Sequence, residues 1–582
     1  MERRLAAIMV TDVVGYSRLI RSDEEGTLAA LKALRTDLID PKIAEHHGRV
    51  VKLMGDGMLA EFASAVDAVR AAVEAQRAVA ERNADLPEDK RIAFRVGINL
   101  GDVVVDGDDI HGDGVNVAAR LEGLAEAGGI CISGGVYDQV RDRIDFPFED
   151  LGEHQVKNID RPVRVWRWLA EGQATVAPRQ VDAPLPLPDK PSIAVLPFEN
   201  MSGDPEQEYF SDGIAEDIIT DLSKASGLFV IARNSAFTYK GRAVNVQEVS
   251  RDLGVRYVLE GSVRKAGNRV RITAQLIDGT TGGHLWAERY DRDLTDIFAV
   301  QDEVTQHIVS ALAVKLTPDE RERVVSKGTD NLEAYDTFLK GREHMLRQTK
   351  EANAKAIAMF ERVTELDPGF AAAVALLAFN HVEAYINRWS ADPDRSFELA
   401  QEHAQRAVAL DDSEPNAHFA LGGVYIWAKQ HDRAIAEAEK TIALDPNSAS
   451  GYGLLGLILS YAGRPEEAIE ALNNAMRLDP HYPDIYLHFL AHANFHMERY
   501  NDAIGALTRR LFRKPESDIS RVLLASCYGH QSRADEARAE WEKVFEVNPD
   551  YSFEHKRRIL PYKNPADFEH FADGLRKSGL LE

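Results

Sequence analysis

Apolar positions along this chain follow two rhythms. Up to about residue 320, strand-like runs at 6–10, 95–98 and 129–132 alternate with helical spacing such as that of 65–81, the pattern of an α/β layer fold. A buried-strand pattern resumes at 192–198 and a helical one spans 214–222. Strand-like runs then return at 228–232, 257–263, 269–277 and 284–290, with a helical stretch at 246–253 and turns such as Lys265-Ala-Gly-Asn268. Between these two regions Pro178, Pro184, Pro186, Pro188 and Pro191 crowd together. Proline fixes φ and removes a donor, so this stretch reads as an extended, semi-rigid linker. Beyond residue 330 the strand signal nearly vanishes.

The helical part has a period. Leu410-Asp411, Leu444-Asp445-Pro446 and Leu478-Asp479-Pro480 recur at about 34 residues, and Lys514-Pro515 and Asn548-Pro549 continue the phase. Leu421, Gly422, Tyr425, Ala434 and Pro446 of one unit, and Leu455, Gly456, Ala468, Ala475 and Pro480 of the next, put small residues where two helices approach and proline where the second ends. This resembles the tetratricopeptide (TPR) family, which implies about five stacked helix-turn-helix units and a protein partner on a concave surface. Leu366-Asp367-Pro368 lies more than one period before Asp411, so about ten residues near 387–395 are expected as an insertion. The expected organisation is an α/β domain at 1–172, a proline-rich linker at 173–190, a second α/β domain at 191–325 and an all-α solenoid at 330–582 with a C-terminal tail.

Composition narrows the function classes. A chain of 582 residues exceeds one core, and 45% hydrophobic with 28% charged residues is an ordinary globular balance rather than a disordered one. A net charge of −25 repels phosphate over a screening length and argues against a general nucleic-acid binder. Cys131 and Cys527, the two cysteines, can build neither a disulfide framework nor a thiolate zinc site, which fits a reducing cytosol. Glu2-Arg3-Arg4 precedes a short apolar run, Leu5 to Val10, too brief for a secretory signal of about 7 to 15, and no stretch approaches the ~18 that a membrane span needs. A cytoplasmic protein without membrane insertion is expected.

Three segments carry chemistry. In Val10-Thr-Asp12-Val13-Val14-Gly15-Tyr16-Ser17 a carboxylate ends a buried strand and a glycine-containing turn leads to a helix. Backbone N–H groups there can hold phosphates while the carboxylate holds a metal. Arg49-Val-Val-Lys52-Leu-Met-Gly55-Asp56-Gly57 reads as the first half of a hairpin that presents Asp56 at its tip. Two carboxylates at adjacent strand ends suit a two-metal site for phosphoryl-type transfer. Asp109-Ile-His-Gly112-Asp-Gly-Val-Asn116-Val-Ala-Ala-Arg120 starts as a glycine-rich loop and continues as a helix, with Asn116 and Arg120 four apart on one face. No nucleophile elbow, P-loop or helical zinc-protease motif is present, and His46-His47 lack partners at metal spacing and are expected in solvent.

Together the three segments resemble the class III nucleotide cyclases, the adenylate and guanylate cyclase homology domain, over roughly residues 4–170, including the closing Leu151-Gly-Glu-His-Gln-Val-Lys-Asn-Ile-Asp-Arg-Pro-Val163. The resemblance implies a ferredoxin-like α/β fold. It implies that Asp12 and Asp56 bind two Mg²⁺ or Mn²⁺, with Val13 adding a carbonyl, and that backbone groups of Val14, Gly15, Tyr16 and Ser17 meet the phosphates. One ion would acidify the ribose 3′-hydroxyl and the other hold the triphosphate for in-line attack on the α-phosphorus, with pyrophosphate leaving. Lys52 and Asp109 match the base-selecting pair, Asn116 the residue that orients the ribose, and Arg120 the cation over the transition-state charge. Asp108 adjoins Asp109, and the count of seven to Asn116 selects Asp109. An ammonium donor plus a carboxylate acceptor complements N1 and N6 of adenine and leaves guanine unpaired, so ATP is the expected substrate. In this family the metal carboxylates and the Lys/Asp/Asn/Arg set come from opposite subunits, which implies a homodimer with two equivalent sites.

Residues 190–325 resemble the N-terminal α/β domain of the TolB type through Ile193-Ala-Val-Leu-Pro-Phe198, Tyr209-Phe-Ser-Asp-Gly-Ile-Ala-Glu-Asp-Ile218 and Tyr257-Val-Leu-Glu-Gly-Ser-Val-Arg264. No catalytic constellation stands out there, and Glu216 and Asp217 are expected on a solvated face. The expectation is an adenylate cyclase regulated through the TolB-like and TPR domains. The alternative is a catalytically weak or silent nucleotide-binding dimerisation module serving a TPR scaffold; an intact Lys52, Asn116 and Arg120 set favours the first.

Overall fold

The computed structural model describes residues 2–13, 24–54, 57–83, 91–106, 109–125, 128–141, 143–144, 146, 148–154, 163–168, 185–242, 245–324 and 328–581. The chain divides into two compact units, 1–182 and 183–582.

The first unit is built on a mixed sheet in the order β2-β3-β1-β4-β6-β8-β7, with β5 paired to β4. The strands are β1 (Glu2–Val13), β2 (Arg49–Met54), β3 (Gly57–Phe62), β4 (Phe94–Asp106), β5 (Asp109–His111), β6 (Ile130–Ser133), β7 (Phe148–His154) and β8 (Val163–Trp168). Residues 6–10 of β1 are each at most 4% exposed, which explains an apolar run without alternation: both faces of the strand are covered. Ala7 and Met9 face a core shared with α1 (Ala65–Asn83). Ala6, Ile8 and Val10 face the opposite layer, which includes Ala118 of α2 (Asp113–Leu124). That helix lies almost on the sheet, since a Cβ at Gly97 of β4 would sit 2.1 Å from the Glu122 nitrogen and 2.2 Å from the Ala118 oxygen. Trp166 and Trp168 are both buried, Trp166 stacked on Tyr137 of α3 (Gly134–Val140). His46 departs from expectation: its side chain is 15% exposed and lies 3.1 Å from Glu74.

In the second unit the sheet order is β11-β9-β12-β13-β14, with β10 (Glu199–Asn200) paired to β12. These strands are β9 (Ser192–Val195), β11 (Phe229–Val230), β12 (Tyr257–Ala266), β13 (Arg269–Asp278) and β14 (Gly283–Asp293), flanked by α4 (Glu208–Ser223), α5 (Val246–Leu253) and α6 (Ile297–Ala311). Among the described residues helix pairs follow: α7 (Leu332–Met345) with α8 (Lys350–Leu366), α9 (Ala371–Ile386) with α10 (Pro393–Leu410), α11 (Pro415–Trp427) with α12 (His431–Leu444), α13 (Ala449–Tyr461) with α14 (Pro465–Leu478), α15 (Ile485–His496) with α16 (Tyr500–Arg513), and α17 (Asp518–His530) with α18 (Ala534–Val547). The expected extra residues are not one loop. Helices α9 and α10 have 16 and 18 residues against 13 and 14 in the next pair, and the turn between them is lengthened as well.

The α/β region and the repeats share a core. Phe338, Phe360 and Phe370 pack with Ile214, Ile218 and Val300. The phased turns dock on the same region: Asn447, just after Leu444-Asp445-Pro446, donates to the Ser223 carbonyl at 2.8 Å and accepts from the Val230 amide at 3.2 Å. Ser235 donates to Asp479 of the next turn. Glu216 and Asp217 are therefore not on a solvated face. Their side chains are 20% and 19% exposed, and Arg342 of α7 reaches them at 2.8 and 2.9 Å. Burial pushes the Glu216 carboxyl up, but the guanidiniums of Arg342 and Arg233 outweigh it and hold it below the usual carboxylate range. Among the described residues no helix is long and apolar enough to cross a membrane.

Candidate active site

The expected site residues reach three places in the first unit. Lys52 stands on β2 just after an irregularity in the pairing with β3, between Val50 and Lys52, of the kind that re-aims a side chain. Asp109 opens β5. They meet across 57 positions of sequence, Lys52 Nζ donating to Asp109 Oδ2 at 2.6 Å, with side chains 36% and 34% exposed. The other oxygen of Asp109 accepts from the Ile110 amide at 2.8 Å, which fixes the carboxylate plane. Donor and acceptor thus stand side by side and open to solvent.

Asn116 and Arg120 lie on the exposed face of α2, one turn apart. Gly112 precedes this helix at φ 129°, in the region that favours glycine. The opposite face of α2 is tied down by the close approach at Gly97, so the helix presents Asn116 and Arg120 from a fixed platform.

Asp12 sits near the end of β1, with Val13 after it. The β1–β4 register sets Asp12 directly across from Arg95, and the guanidinium meets the carboxylate at 2.5 Å. Arg95 also approaches Glu122 of α2, with Nε 3.0 Å from Oε1. Sequence reading missed Arg95 and Glu122 as neighbours of the site, because only the strand register reveals the first and only the helix docking reveals the second. Val14, Gly15, Tyr16, Ser17 and Asp56 lie outside the described residues. Met54 and Gly57, on either side of Asp56 in the sequence, pair with each other as the expected hairpin requires. Among the described residues no three His, Cys, Asp or Glu side chains gather as a metal cluster. Asp12, 28% exposed, is a hard oxygen donor of the kind Mg²⁺ and Mn²⁺ take, so this half of the expected pair fits a divalent ion.

Residues 3–169 match the adenylate and guanylate cyclase catalytic domain family. Residues 394–449 and 459–522 match tetratricopeptide repeats. Residues 189–307 match the second domain of HilA/YgeH-like transcriptional regulators, where a TolB-type domain was expected. A protein named putative adenylate cyclase 3 from Rhizobium meliloti (strain 1021) is 54% identical over 435 residues, 75% of this chain and 74% of that protein. An adenylate cyclase of Streptomyces coelicolor is 36% identical over 126 residues, 22% of this chain and 31% of the relative. A crystal structure described as an adenylate/guanylate cyclase/hydrolase from Silicibacter pomeroyi is 50% identical and covers 29% of this chain and 99% of its own, with a TM-score of 0.28. With three-quarters of the Rhizobium relative matched at more than half identity and the catalytic-domain match over residues 3–169, this chain belongs to the class III adenylate and guanylate cyclase family.

Proposed function

We propose that the protein is an adenylate cyclase that converts ATP to 3′,5′-cyclic AMP and pyrophosphate, working as a homodimer and regulated through its second unit. The observation that carries the choice of ATP is the Lys52–Asp109 pair, an ammonium and a carboxylate at 2.6 Å, each about one-third exposed. The ammonium donates to N1 of adenine and the carboxylate accepts from N6. Guanine reverses both edges and leaves two charged groups unpaired, at about 1–3 kcal/mol for each unsatisfied group.

Two divalent cations, Mg²⁺ or Mn²⁺, held by the carboxylates of Asp12 and Asp56 would supply Lewis-acid activation of the 3′-hydroxyl and positive charge at the triphosphate. The protein's own residues do the rest. Asn116 orients the ribose, and Arg120 faces the negative charge that grows on the α-phosphoryl group. Backbone N–H groups at Val14 to Ser17 receive phosphate oxygens. Arg95 adds a cation beside Asp12, and its bond to that carboxylate must yield or be shared when a metal binds. Asn116 and Arg120 are exposed in the single chain, which supports a site completed by a second copy. The tetratricopeptide region would take a protein partner and the cytoplasm would be the setting.

Purified full-length protein supplied with Mn²⁺ and ATP is expected to release cyclic AMP and pyrophosphate in equal amounts, and the Asp56→Ala and Arg120→Ala variants to release far less of both. Undiminished activity in those variants contradicts the proposal.

A further inference from the structure

The second sheet ends on an unusually long free edge. β14 runs for 11 residues, and its one sheet neighbour among the described residues is β13. Strands average about five or six residues, and a long unpaired edge is a template for pairing that proteins ordinarily blunt or cover. Among the described residues this one is not covered: every position except Tyr290 is at least partly exposed, and its pairing with β13 is continuous from Trp286 to Asp293, the one irregularity lying at Leu285, which is 43% exposed. Its inner face is held against α6, where Tyr290 is buried and Glu288 lies 2.9 Å from His307 Nδ1.

Charges on an edge usually repel a second strand. The order of charges on β14 does the opposite for one partner, because Glu288-Arg289-Tyr290-Asp291-Arg292 reads with opposite signs at positions equidistant from Tyr290. An antiparallel copy centred on Tyr290 places Arg289 across from Asp291 and Glu288 across from Arg292, so four charged pairs of opposite sign form around one two-fold axis. Pairs directly opposite in an antiparallel ladder stabilise it when the signs differ and destabilise it when they match. The neighbouring registers do worse on this count. Sliding by one residue sets Glu288 against Asp291 or Arg289 against Arg292; sliding by two brings Arg289 onto itself, or brings Asp291 onto itself with two opposite pairs, Arg289 across from Asp293, in place of four. Within one copy Arg289 and Arg271 already reach Asp291, at 3.2 and 2.7 Å, so these side chains sit on the outer face ready to be shared.

We propose that β14 is a self-association edge, on which a second copy of this chain pairs antiparallel about Tyr290 to join two sheets into one. The contact is separate from any contact made by the first unit and does not rest on the catalytic reading; loss of cyclase activity would leave it standing.

The test places a spin label at Leu285→Cys of the full-length chain, where both native cysteines are buried. In the proposed register residue 285 and its symmetry mate are ten strand positions apart, about 33 Å at the usual rise. Pulsed dipolar spectroscopy is expected to show that distance. Arg289→Glu should abolish it, and Arg289→Glu combined with Asp291→Arg should bring it back, since the swap restores opposite signs across the axis. Hydrogen exchange of the β14 amides in the same three proteins shows whether the edge is covered and whether the fold survives. Absence of that distance, a distance indifferent to Arg289→Glu, or a double variant no better than the single overturns the proposal. Protected β14 amides without the 285–285 distance would assign the edge to another strand and overturn it equally.

Discussion

Two charged clusters of similar geometry differ in how far they are closed off from solvent. In the first unit Lys52 and Asp109 meet at 2.6 Å with about one-third of each side chain exposed. In the second, Arg342 meets Glu216 and Asp217 at 2.8 and 2.9 Å while only 10% exposed, and Tyr335 and Gln301 add hydrogen bonds to Asp217. An exposed pair gains little from its own contact, typically about 0–1 kcal/mol, so it can trade that contact for a ligand at low cost. A buried network has no such freedom: each member is held because the others would otherwise be charges without partners. Ion pairs alone therefore do not mark a site. Access to solvent, and so to a ligand, separates the first cluster from the second.

The strongest way to break this contrast is Arg342→Ala, which leaves Glu216 and Asp217 buried without their main cation. It should cost the second unit about 3–5 kcal/mol, read as a lower melting temperature, while turnover by the remaining folded protein is retained. A loss below about 1 kcal/mol would put the cluster in the exposed class.

Next in size are Asn116→Ala and Arg120→Ala. Both residues are exposed, so the melting temperature should hold while cyclic AMP formation falls by roughly 10²–10³, the usual effect of removing one group that faces transition-state charge. A matching loss of stability would mean these residues support the fold instead.

A smaller effect is expected from Lys52→Ala and Asp109→Ala. Each should narrow the ATP-over-GTP preference in kcat/KM by about 1–3 kcal/mol and shift stability by less than about 1 kcal/mol. A preference that does not move would remove the pair from base selection.

The smallest effect is a pH dependence confined to the second unit. Burial, with His570 nearby, lowers His496 to about 4, and burial with His403 and Arg395 lowers His381 to about 4. Both rings stay neutral when folded and take a proton when unfolded below about 6.5, so stability is full above about 6.5 and declines as pH falls towards 4. By pH 6 the loss is about 1 kcal/mol per ring. Asp221 and Asp445, which burial raises to about 6, work in the opposite sense over the same range, because they bind protons in the folded state first. Melting at pH 7 and pH 5 checks the net sign, and His496→Gln should flatten the decline.

Legibility in the sequence followed the range of the interactions. The solenoid was readable because each repeat contacts its neighbours and stamps its period on the chain. Lys52, Asp109, Asn116 and Arg120 were singled out by the resemblance of three local segments to the cyclase family; the structure brings Lys52 and Asp109 together and sets Asn116 and Arg120 on one exposed helix face. Arg95 was not legible, because its meeting with Asp12 is fixed by strand register across 83 positions. Glu216 and Asp217 misled for the same reason: nothing nearby announces that Arg342, some 125 positions on from Asp217, packs over them. The extra residues near 387–395 were counted correctly yet assigned to one insertion, whereas two lengthened helices and their turn share them, since an added turn of helix costs less than an unsupported loop.

The most direct test of nucleotide cyclisation at a site shared by two copies mixes Asp12→Ala protein with Arg120→Ala protein and measures cyclic AMP from Mn²⁺-ATP. Each variant alone should be nearly silent, and the mixture should recover a substantial fraction of wild-type activity, since a mixed pair keeps one site with Asp12 from one copy and Arg120 from the other. A mixture no more active than the two variants measured separately contradicts it.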